Sequence, residues 1–138
     1  MKWFSEFFIK SQKKVISDQV LSNVSGEIIE IGKGEILLIA ILRNESLRLP
    51  YFLEYYKSLG VDKFFFVDNN SSDMSREIIL KEPKAHLFFT DESYINHWYW
   101  MEYLLEMYGQ EHWCLVVDID ELFAYPNFET TKLSSLIN

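Results

Sequence analysis

The sequence predicts an α/β protein with an open, mostly parallel sheet covered by helices on both faces. Four short apolar segments alternate with three segments of helical periodicity between residues 36 and 117. The first apolar segment, Ile36–Leu42, contains no polar residue, as expected of a strand that is buried on both faces. Strands that alternate with helices in this way form parallel sheets with right-handed crossovers.

The boundaries of the first helix are marked clearly. Pro50 suits the first turn of a helix, and Gly60 suits the position just after its last turn. Apolar residues between them fall on one helical face: Phe52, Leu53, Tyr56 and Leu59. The second buried strand is predicted at residues 64–67, which read Phe-Phe-Phe-Val.

A second helix is predicted to begin after Ser72, whose hydroxyl can cap it, and to run through Leu80. Pro83 prevents the helix from continuing. The third strand then follows at Ala85–Phe89. Its apolar residues predict the third strand in the alternation of strands and helices.

The third helix is predicted to be long, with Ser93 as its cap and Gly109 as its stop. One face of this helix carries four large apolar residues, and we expect that face to be buried: Trp98, Met101, Leu105 and Tyr108. The fourth strand is predicted at residues 113–117.

The amino-terminal segment, residues 1–34, is predicted to be an extension of the domain formed by residues 35–138. Residues 2–21 have aromatic residues at near-helical spacing with lysines between them, which predicts a helix. That helix either docks on the domain or a partner, or lies at a membrane surface through residues 1–16. Residues 26–32 are predicted to form a short strand in a hairpin with the first strand of the domain.

Composition and charge argue against several classes of protein and site. The 138 residues include 13 basic and 21 acidic ones, and this net charge of −8 argues against a nucleic-acid partner. Cys114 is the only cysteine, so no internal disulfide or cysteine-based zinc site can form. No apolar run is long enough to cross a membrane, and charged residues interrupt residues 1–16, which argues against a signal peptide. We expect a cytoplasmic protein, with or without membrane association.

Polar residues follow each of the four predicted strands. These clusters are Arg43-Asn44-Glu45, residues 68–73, Thr90-Asp91-Glu92 and residues 118–121. Ligands of open α/β sheets bind outside the carboxyl ends of the strands, where strand order reverses. We therefore expect the clusters to face one acidic crevice. A phosphate would be repelled by the carboxylates there unless a divalent cation were bound between them.

Asp118 and Asp120 are the candidate ligands for that cation. Residues i and i+2 of an extended chain project to the same side, so both carboxylates can face the crevice while Ile119 enters the core. Mg²⁺ and Mn²⁺ take oxygen ligands, typically one or two carboxylates with substrate phosphates and water. The alternative is a solvated turn in which the aspartates only cap.

Two other polar residues have open roles. Asp68 could accept hydrogen bonds from a ribose hydroxyl or a base, or it could form an Asx turn with Asn69 and Asn70. Arg43 could contact a diphosphate or pair with Glu45. An aromatic residue at the start of the third helix, such as Tyr94, could stack on a sugar or a base, although packing accounts for most aromatics there.

Three motifs in this order resemble one group of glycosyltransferases. They are Arg43-Asn44-Glu45 with the following helix to residue 62, residues 67–73, and residues 116–123 with their Asp-x-Asp. Residues 35–126 are similar in this way to the family 2-like and family 92-like glycosyltransferases, which have the Rossmann-like GT-A fold. The resemblance implies a nucleotide-sugar donor, most often a UDP-sugar, together with Mn²⁺ or Mg²⁺.

The resemblance also implies roles for individual residues. Asn44 and Glu45 would line the nucleotide pocket, and Asp68 would hold the nucleoside. Asn70 and Asp73 would shape the loop around the nucleoside. Asp118 would contact the ribose, and Asp118 and Asp120 would hold the metal.

The chain is short for this family, because the half that binds the acceptor normally follows the Asp-x-Asp. Here residues 121–138 follow, so we expect the donor half of a fold truncated after the motif. No general base is found, so the catalytic residues are unknown, and the acceptor could be a saccharide, a lipid or a protein.

Two other interpretations stay open. One is a catalytically incomplete remnant or interaction domain with the same fold. The other is a phosphotransfer enzyme of the haloacid dehalogenase type, in which Asp-x-Asp supplies a nucleophile and an acid. That arrangement normally opens the domain, whereas here Asp118 lies near the end of the chain.

Overall fold

The sheet determines where the functional residues lie. The structure, a computed structural model, describes residues 21–137. Its five strands are β1 (Ser22–Asn23), β2 (Ile36–Leu42), β3 (Lys63–Asp68), β4 (Ala85–Phe89) and β5 (Trp113–Val116). Their spatial order is β1-β4-β3-β2-β5. All neighbouring strands are parallel except β1, which runs antiparallel to β4. The predicted α/β class and mostly parallel sheet are therefore confirmed.

Helices cover both faces of the sheet, as predicted. They are α1 (Leu49–Leu59), α2 (Ser75–Leu80), α3 (His97–Tyr108), which follows a 3₁₀ turn at Tyr94–Asn96, and α4 (Leu133–Ile137). One core cluster packs α1, α2 and α4 against one face of the sheet. A second cluster packs α3 against the other face.

Strand β2 divides its side chains between these two clusters. All seven of its residues are buried, since both edges of β2 are paired and both of its faces are covered. Alternate residues of a strand point to opposite faces. Ile36, Leu38, Ala40 and Leu42 face α1, while Leu37, Ile39 and Ile41 face α3. The unbroken apolar run in the sequence is thus explained.

Helix α1 has the boundaries that the sequence predicts. Pro50 lies in its first turn, and Gly60 follows its last residue with φ 99°. The Gly60 amide donates to the carbonyl of Lys57, which satisfies one of the free carbonyl groups at the helix end.

Replacing Gly60 with alanine should destabilise the fold by about 1 kcal/mol, because an L side chain is strained at positive φ. A methyl group there would meet Lys132 carbons at 3.6 and 3.7 Å, which is ordinary contact, so the cost is one of backbone conformation. Urea denaturation measures the loss. Gly60→Asn should lose less stability than Gly60→Ala, since asparagine tolerates this conformation. Equal losses for the two variants would contradict this explanation.

The predicted hairpin is wrong. Residues 26–32 form no strand, and β1 instead pairs with β4 at the far edge of the sheet. Both edges of β2 are already occupied by β3 and β5, so no edge is left for a hairpin partner. Gly26 has φ 69° and its amide donates to the side chain of Asn23, which turns the chain directly after β1.

The predicted cap of α2 is also wrong. The helix begins at Ser75, and the amide and hydroxyl of Ser72 both donate to the side-chain oxygen of Asn44 instead. The N-cap position is Met74, which has no side-chain cap, and Asp73 before it accepts a hydrogen bond from the Ser75 amide at 2.9 Å, which satisfies a free amide at the helix start.

The buried face of α3 differs in part from the prediction. Trp98 is 50% exposed, whereas Trp100 is fully buried together with Leu104 and Leu105. The predicted cap, Ser93, accepts from the Ile95 amide and so caps the 3₁₀ turn. Met101 and Tyr108 are partly buried against the same cluster as Trp100, so of the four predicted residues only Trp98 leaves the buried face.

The predictions for the amino-terminal helix at residues 2–21, and for membrane contact through residues 1–16, lie outside the described residues, apart from Leu21. Leu21 is buried against the face of the sheet that α3 covers. Across residues 21–137, no helix is long and apolar enough to cross a membrane.

Candidate functional site

The order of the strands defines one switch point. From β2 the chain moves outward through β3 and β4, and it then returns to place β5 on the opposite side of β2. The segments after β2 and β5 therefore diverge at their carboxyl ends. Open α/β sheets bind ligands in the crevice that forms there.

A cavity of about 200 Å³ occupies this crevice. Its lining comes from the ends of β2 and β5, from the residue after β3 and from the 3₁₀ turn. The lining residues are Ile41, Leu42, Arg43, Glu45, Asn69, Tyr94, Asp118, Ile119 and Asp120. We refer to it as the first cavity. It brings together four of the predicted site residues, namely Arg43, Glu45, Asp118 and Asp120.

Asp118 and Asp120 have the alternating arrangement that the sequence predicts. Both are exposed and line the first cavity, while Ile119 between them is only 5% exposed and belongs to the core. The turn expected as the alternative is present as well. The Glu121 amide donates to the carbonyl of Asp118, and the Asp118 amide donates to the carboxylate of Glu121.

Two tyrosines of α1 hold the segment that follows Asp120. The Tyr56 hydroxyl donates to the carbonyl of Glu121 at 2.7 Å and accepts from the amide of Phe123 at 3.0 Å. The Tyr55 hydroxyl donates to the carbonyl of Phe123 at 2.7 Å. These bonds from α1 hold the backbone of the segment that directly follows the two aspartates.

Negative charge is concentrated around Asp118. Burial raises the pKa of Asp118, and the nearby carboxylates of Glu121 and Asp120 raise it further, while His97 opposes them. Burial and the charge of Asp118 also raise the pKa of Tyr94. A bound cation would relieve the repulsion among these carboxylates.

The donor atoms fit a hard divalent cation whose ligands include phosphate oxygens as well as carboxylates. Among residues 21–137, no three His, Cys, Asp or Glu side chains converge to hold an ion by themselves. Mg²⁺ and Mn²⁺ sites usually take only one or two carboxylates, with phosphate oxygens and water completing the shell. Asp118 and Asp120 could supply those two carboxylates.

Arg43 is the basic residue in the lining of the first cavity. Its side chain is exposed and makes no hydrogen bond or ion pair within the described part of the chain. The alternative pairing of Arg43 with Glu45 is wrong, because Glu45 instead pairs with Arg48 at 2.8 Å. The Arg43 guanidinium therefore stays available to an anionic ligand.

Asn44 lies outside the lining of the first cavity and joins two loops. It has φ 56°, and its side-chain oxygen accepts from the amide of Ser72 at 2.7 Å and from that of Asp73 at 3.3 Å. Its own amide donates to the hydroxyl of Ser71 at 2.8 Å. The side-chain oxygen expected to line a nucleotide pocket thus connects the loop after β2 to the loop after β3.

Asp68 is fully buried, and its carboxylate is occupied within the fold. One oxygen accepts from Arg76 Nε and Nη2 at 2.9 and 2.8 Å, and the other accepts from the Ser71 amide at 3.2 Å. The bond from the Ser71 amide is local, but it comes from three residues further on rather than two, so it is not the expected Asx turn of residues 68–70. The role of holding a nucleoside stays a prediction, and it would require Asp68 to exchange one of these partners.

Asp73 and Asn70 shape the loop after β3. Asp73 accepts from the amides of Ser75 and Ser46 at 2.9 and 3.1 Å. Burial opposes its ionisation, but these hydrogen bonds together outweigh burial and hold the pKa of Asp73 well below its ordinary value. Asn70 is exposed and has φ 61°, a conformation that asparagine tolerates. Neither residue lines the first cavity.

The Asp73 pKa gives a stability prediction with a definite sign. A lowered folded-state pKa adds stability above the unfolded value, about 3.9, and that stability is lost as pH falls towards the folded value. Asp73→Asn should cost about 1 kcal/mol at pH 7, and the difference from wild type should shrink below pH 4. Urea denaturation at pH 7, 4 and 3 measures it. A difference that does not change with pH would contradict this assignment.

Two lining residues, Asn69 and Tyr94, were not among the predicted nucleotide-sugar or metal ligands. Asn69 is buried, and its side-chain amide donates to the carbonyls of Thr90 and Glu92. Tyr94 is 55% exposed and stacks on His97, with ring centroids 4.5 Å apart. Only the aromatic composition at the start of α3 pointed to Tyr94. Nothing in the sequence distinguishes Asn69 from its neighbour Asn70.

Comparisons with known proteins do not show a family for this chain. No protein-family model matches the sequence, and no curated protein matches it. The resemblance of residues 35–126 to glycosyltransferases rests on their own motifs.

Proposed function

We propose that this chain binds a nucleotide-sugar, such as a UDP-sugar, as the donor-binding part of a metal-dependent glycosyltransferase with the GT-A fold. One observation carries the proposal. Arg43, which makes no hydrogen bond or ion pair within residues 21–137, lines the first cavity at the switch point of the sheet together with Asp118 and Asp120.

A diphosphate is the ligand group that suits both charges. The Arg43 guanidinium can make paired hydrogen bonds to phosphate oxygens. The carboxylates of Asp118 and Asp120 would repel the same group directly, so they suit it only with a cation between them. When bound, Mn²⁺ or Mg²⁺ would act as a Lewis acid that neutralises charge on the diphosphate.

The nucleoside is expected on the side of the first cavity formed by Tyr94. The Tyr94 ring is half exposed, and its stacking on His97 fixes its orientation at an interplanar angle of 6°. Exposed aromatic rings stack on bases with little dependence on the base. Asn69 beside it is already held by the backbone carbonyls of Thr90 and Glu92, so it contributes to the shape of the wall.

The reaction expected of such a site is sugar transfer. The bond between the anomeric carbon and the diphosphate oxygen breaks, and the nucleoside diphosphate leaves with the electron pair. An acceptor hydroxyl oxygen bonds to the anomeric carbon and gives its proton to a base, which is not identified here. Arg43 would hold the diphosphate and stabilise the charge that develops on it.

Isothermal titration calorimetry of the full chain with UDP tests this function. We expect binding of UDP in the presence of Mn²⁺ and a large loss of affinity when the metal is removed by a chelator. Uridine, which lacks the diphosphate, should bind much more weakly in either condition. Absence of UDP binding in the presence of Mn²⁺ would favour the alternative of an interaction domain without donor binding.

A further inference from the structure

The segment after β2 presents alternate residues to the first cavity. Arg43 and Glu45 line that cavity, whereas Asn44 between them does not. The side chain of Asn44 instead contacts residues 69–74, the segment between β3 and α2, which we call the β3 loop. The residue that separates two cavity-lining side chains is therefore joined to another segment of the chain.

Backbone hydrogen bonds hold the same segment along its length. Three successive amides donate to side-chain oxygens in the β3 loop and at the start of α2. The pairs are Asn44 to Ser71 at 2.8 Å, Glu45 to Ser75 at 2.9 Å and Ser46 to Asp73 at 3.1 Å. All three bonds join backbone to side chain, so the position of the segment after β2 depends on side chains that follow β3.

The side-chain oxygen of Asn44 adds bonds in the opposite direction. It accepts from the Ser72 amide at 2.7 Å, from the Ser72 hydroxyl at 3.3 Å and from the Asp73 amide at 3.3 Å. Asn44 is exposed, and yet this one oxygen has three protein donors. Its φ of 56° is a conformation that asparagine tolerates. The backbone and the side chain of Asn44 thus both suit the join between the two segments.

The backbone of Arg43 is held on both sides. Before it, Leu42 ends β2, and its carbonyl accepts from the Asn69 amide at 2.9 Å. After it, Asn44 is bonded to the β3 loop. The Arg43 side chain makes no hydrogen bond or ion pair within residues 21–137, so the backbone that carries it limits the positions that the guanidinium reaches.

We infer that Asn44 is a positioning residue, which holds Arg43 in place to bind the diphosphate of a nucleotide. The inference rests on the proposed function, in which Arg43 binds the diphosphate. A group that is ordered before binding loses less entropy on binding than a mobile one, so the join raises affinity without touching the ligand. This role differs from the direct contact with the nucleotide that the resemblance to glycosyltransferases implies for Asn44.

A double-mutant cycle, measured by calorimetry of the full chain with UDP and Mn²⁺, tests this role. Asn44→Gly removes the side-chain oxygen and keeps a residue that tolerates positive φ. Asn70→Gly is the matched control, because Asn70 is also an exposed asparagine with positive φ, 61°, and its side chain makes no bond to the segment after β2. Each change is made in wild type and in Arg43→Ala. Thermal unfolding checks that every variant is folded.

Asn44→Gly should weaken UDP binding about three- to tenfold in wild type but less than about twofold in Arg43→Ala, because residues that act through one another are not additive. Asn70→Gly should weaken it less than about twofold in both. Ser71→Ala removes the oxygen that accepts from the Asn44 amide and should act in the same direction as Asn44→Gly.

The NMR signal of the Arg43 Nε–H group gives a readout that a purely structural role would not change. Its absence from the spectrum of Arg43→Ala assigns it. At saturating UDP and with Mg²⁺ in place of paramagnetic Mn²⁺, the signal should shift in wild type and in Asn70→Gly, and much less in Asn44→Gly.

The inference is overturned if Asn44→Gly weakens UDP binding no more than Asn70→Gly, if its effect is the same with and without Arg43, or if the Nε–H shift is unchanged in Asn44→Gly. Failure of the proposed function gives a different result, namely no UDP binding by wild type. Inorganic pyrophosphate with Mn²⁺ then replaces UDP in the same cycle. A coupled loss of pyrophosphate binding would keep the role of Asn44, and absence of pyrophosphate binding by wild type would overturn it.

Discussion

Replacing Asp120 with alanine should weaken Mn²⁺-dependent UDP binding about 100-fold or more. Even groups that only orient a metal ligand are worth about 10- to 100-fold in metal affinity, so loss of a ligand should cost at least as much. Asp120 is exposed, and its backbone is held through Tyr56 and Glu121, so the fold should change in stability by no more than about 0.5 kcal/mol. Calorimetry with UDP and Mn²⁺ measures the loss, and thermal unfolding checks the fold.

Asp91→Ala is the matched control for this result. Asp91 is also an exposed aspartate beyond a strand end, since it follows β4, but it does not line the first cavity. Its replacement removes the same charge and should leave UDP binding within about twofold of wild type. If Asp91→Ala and Asp120→Ala weaken binding equally, general electrostatic attraction explains the binding and the Asp-x-Asp has no specific role.

Replacing Arg76 with alanine should destabilise the fold by about 3–5 kcal/mol, because it leaves the Asp68 carboxylate buried without its charged partner. Asp68 is fully buried, and both bonds from Arg76 go to the same oxygen, at 2.8 and 2.9 Å. The Arg76 guanidinium also lies 4.8 Å from the centre of the Phe89 ring, so a cation–π contact is lost as well. Urea denaturation measures the change. Arg76→Lys keeps the charge and should lose less.

Arg48→Ala is the control that tests whether burial of the carboxylate determines the loss of stability. The Arg48–Glu45 ion pair has the same 2.8 Å separation as the closest Arg76–Asp68 contact, but the Arg48 side chain is 61% exposed. Its loss should cost much less stability than the loss of Arg76, because water screens an exposed ion pair. If Arg48→Ala and Arg76→Ala lower the free energy of unfolding equally, burial of the Asp68 carboxylate does not explain the effect of Arg76→Ala.

The core of the fold could be predicted because it follows from apolar patterning. β2 is apolar throughout since it is buried on both faces, and Pro50 and Gly60 mark the ends of α1 by local backbone chemistry. β1 could not be predicted, because Ser22 and Asn23 carry no apolar pattern and form a strand only by pairing with β4.

The candidate site was predictable only where side-chain direction follows from local geometry. The alternation of polar and apolar residues correctly predicts that Asp118 and Asp120 line one cavity while Ile119 is buried, although β5 ends at Val116 and residues 118–121 form a turn. The roles of Asn44 and Asp68 depend on distant partners, such as Ser72 for Asn44 and Arg76 for Asp68. Carboxylates and amides at strand ends serve loops and ligands alike, so their residue types could not decide between the two.

The position of a bound metal tests the central claim most directly. Mn²⁺ is paramagnetic, so in the presence of UDP it should broaden the amide NMR signals of the residues nearest to it. We predict that broadening of the signals of the full chain is strongest at residues 43–45 and 118–121, around the first cavity, and is lost in Asp120→Ala. Broadening centred elsewhere, or retained in Asp120→Ala, would contradict the assignment of this crevice as a metal-dependent donor site.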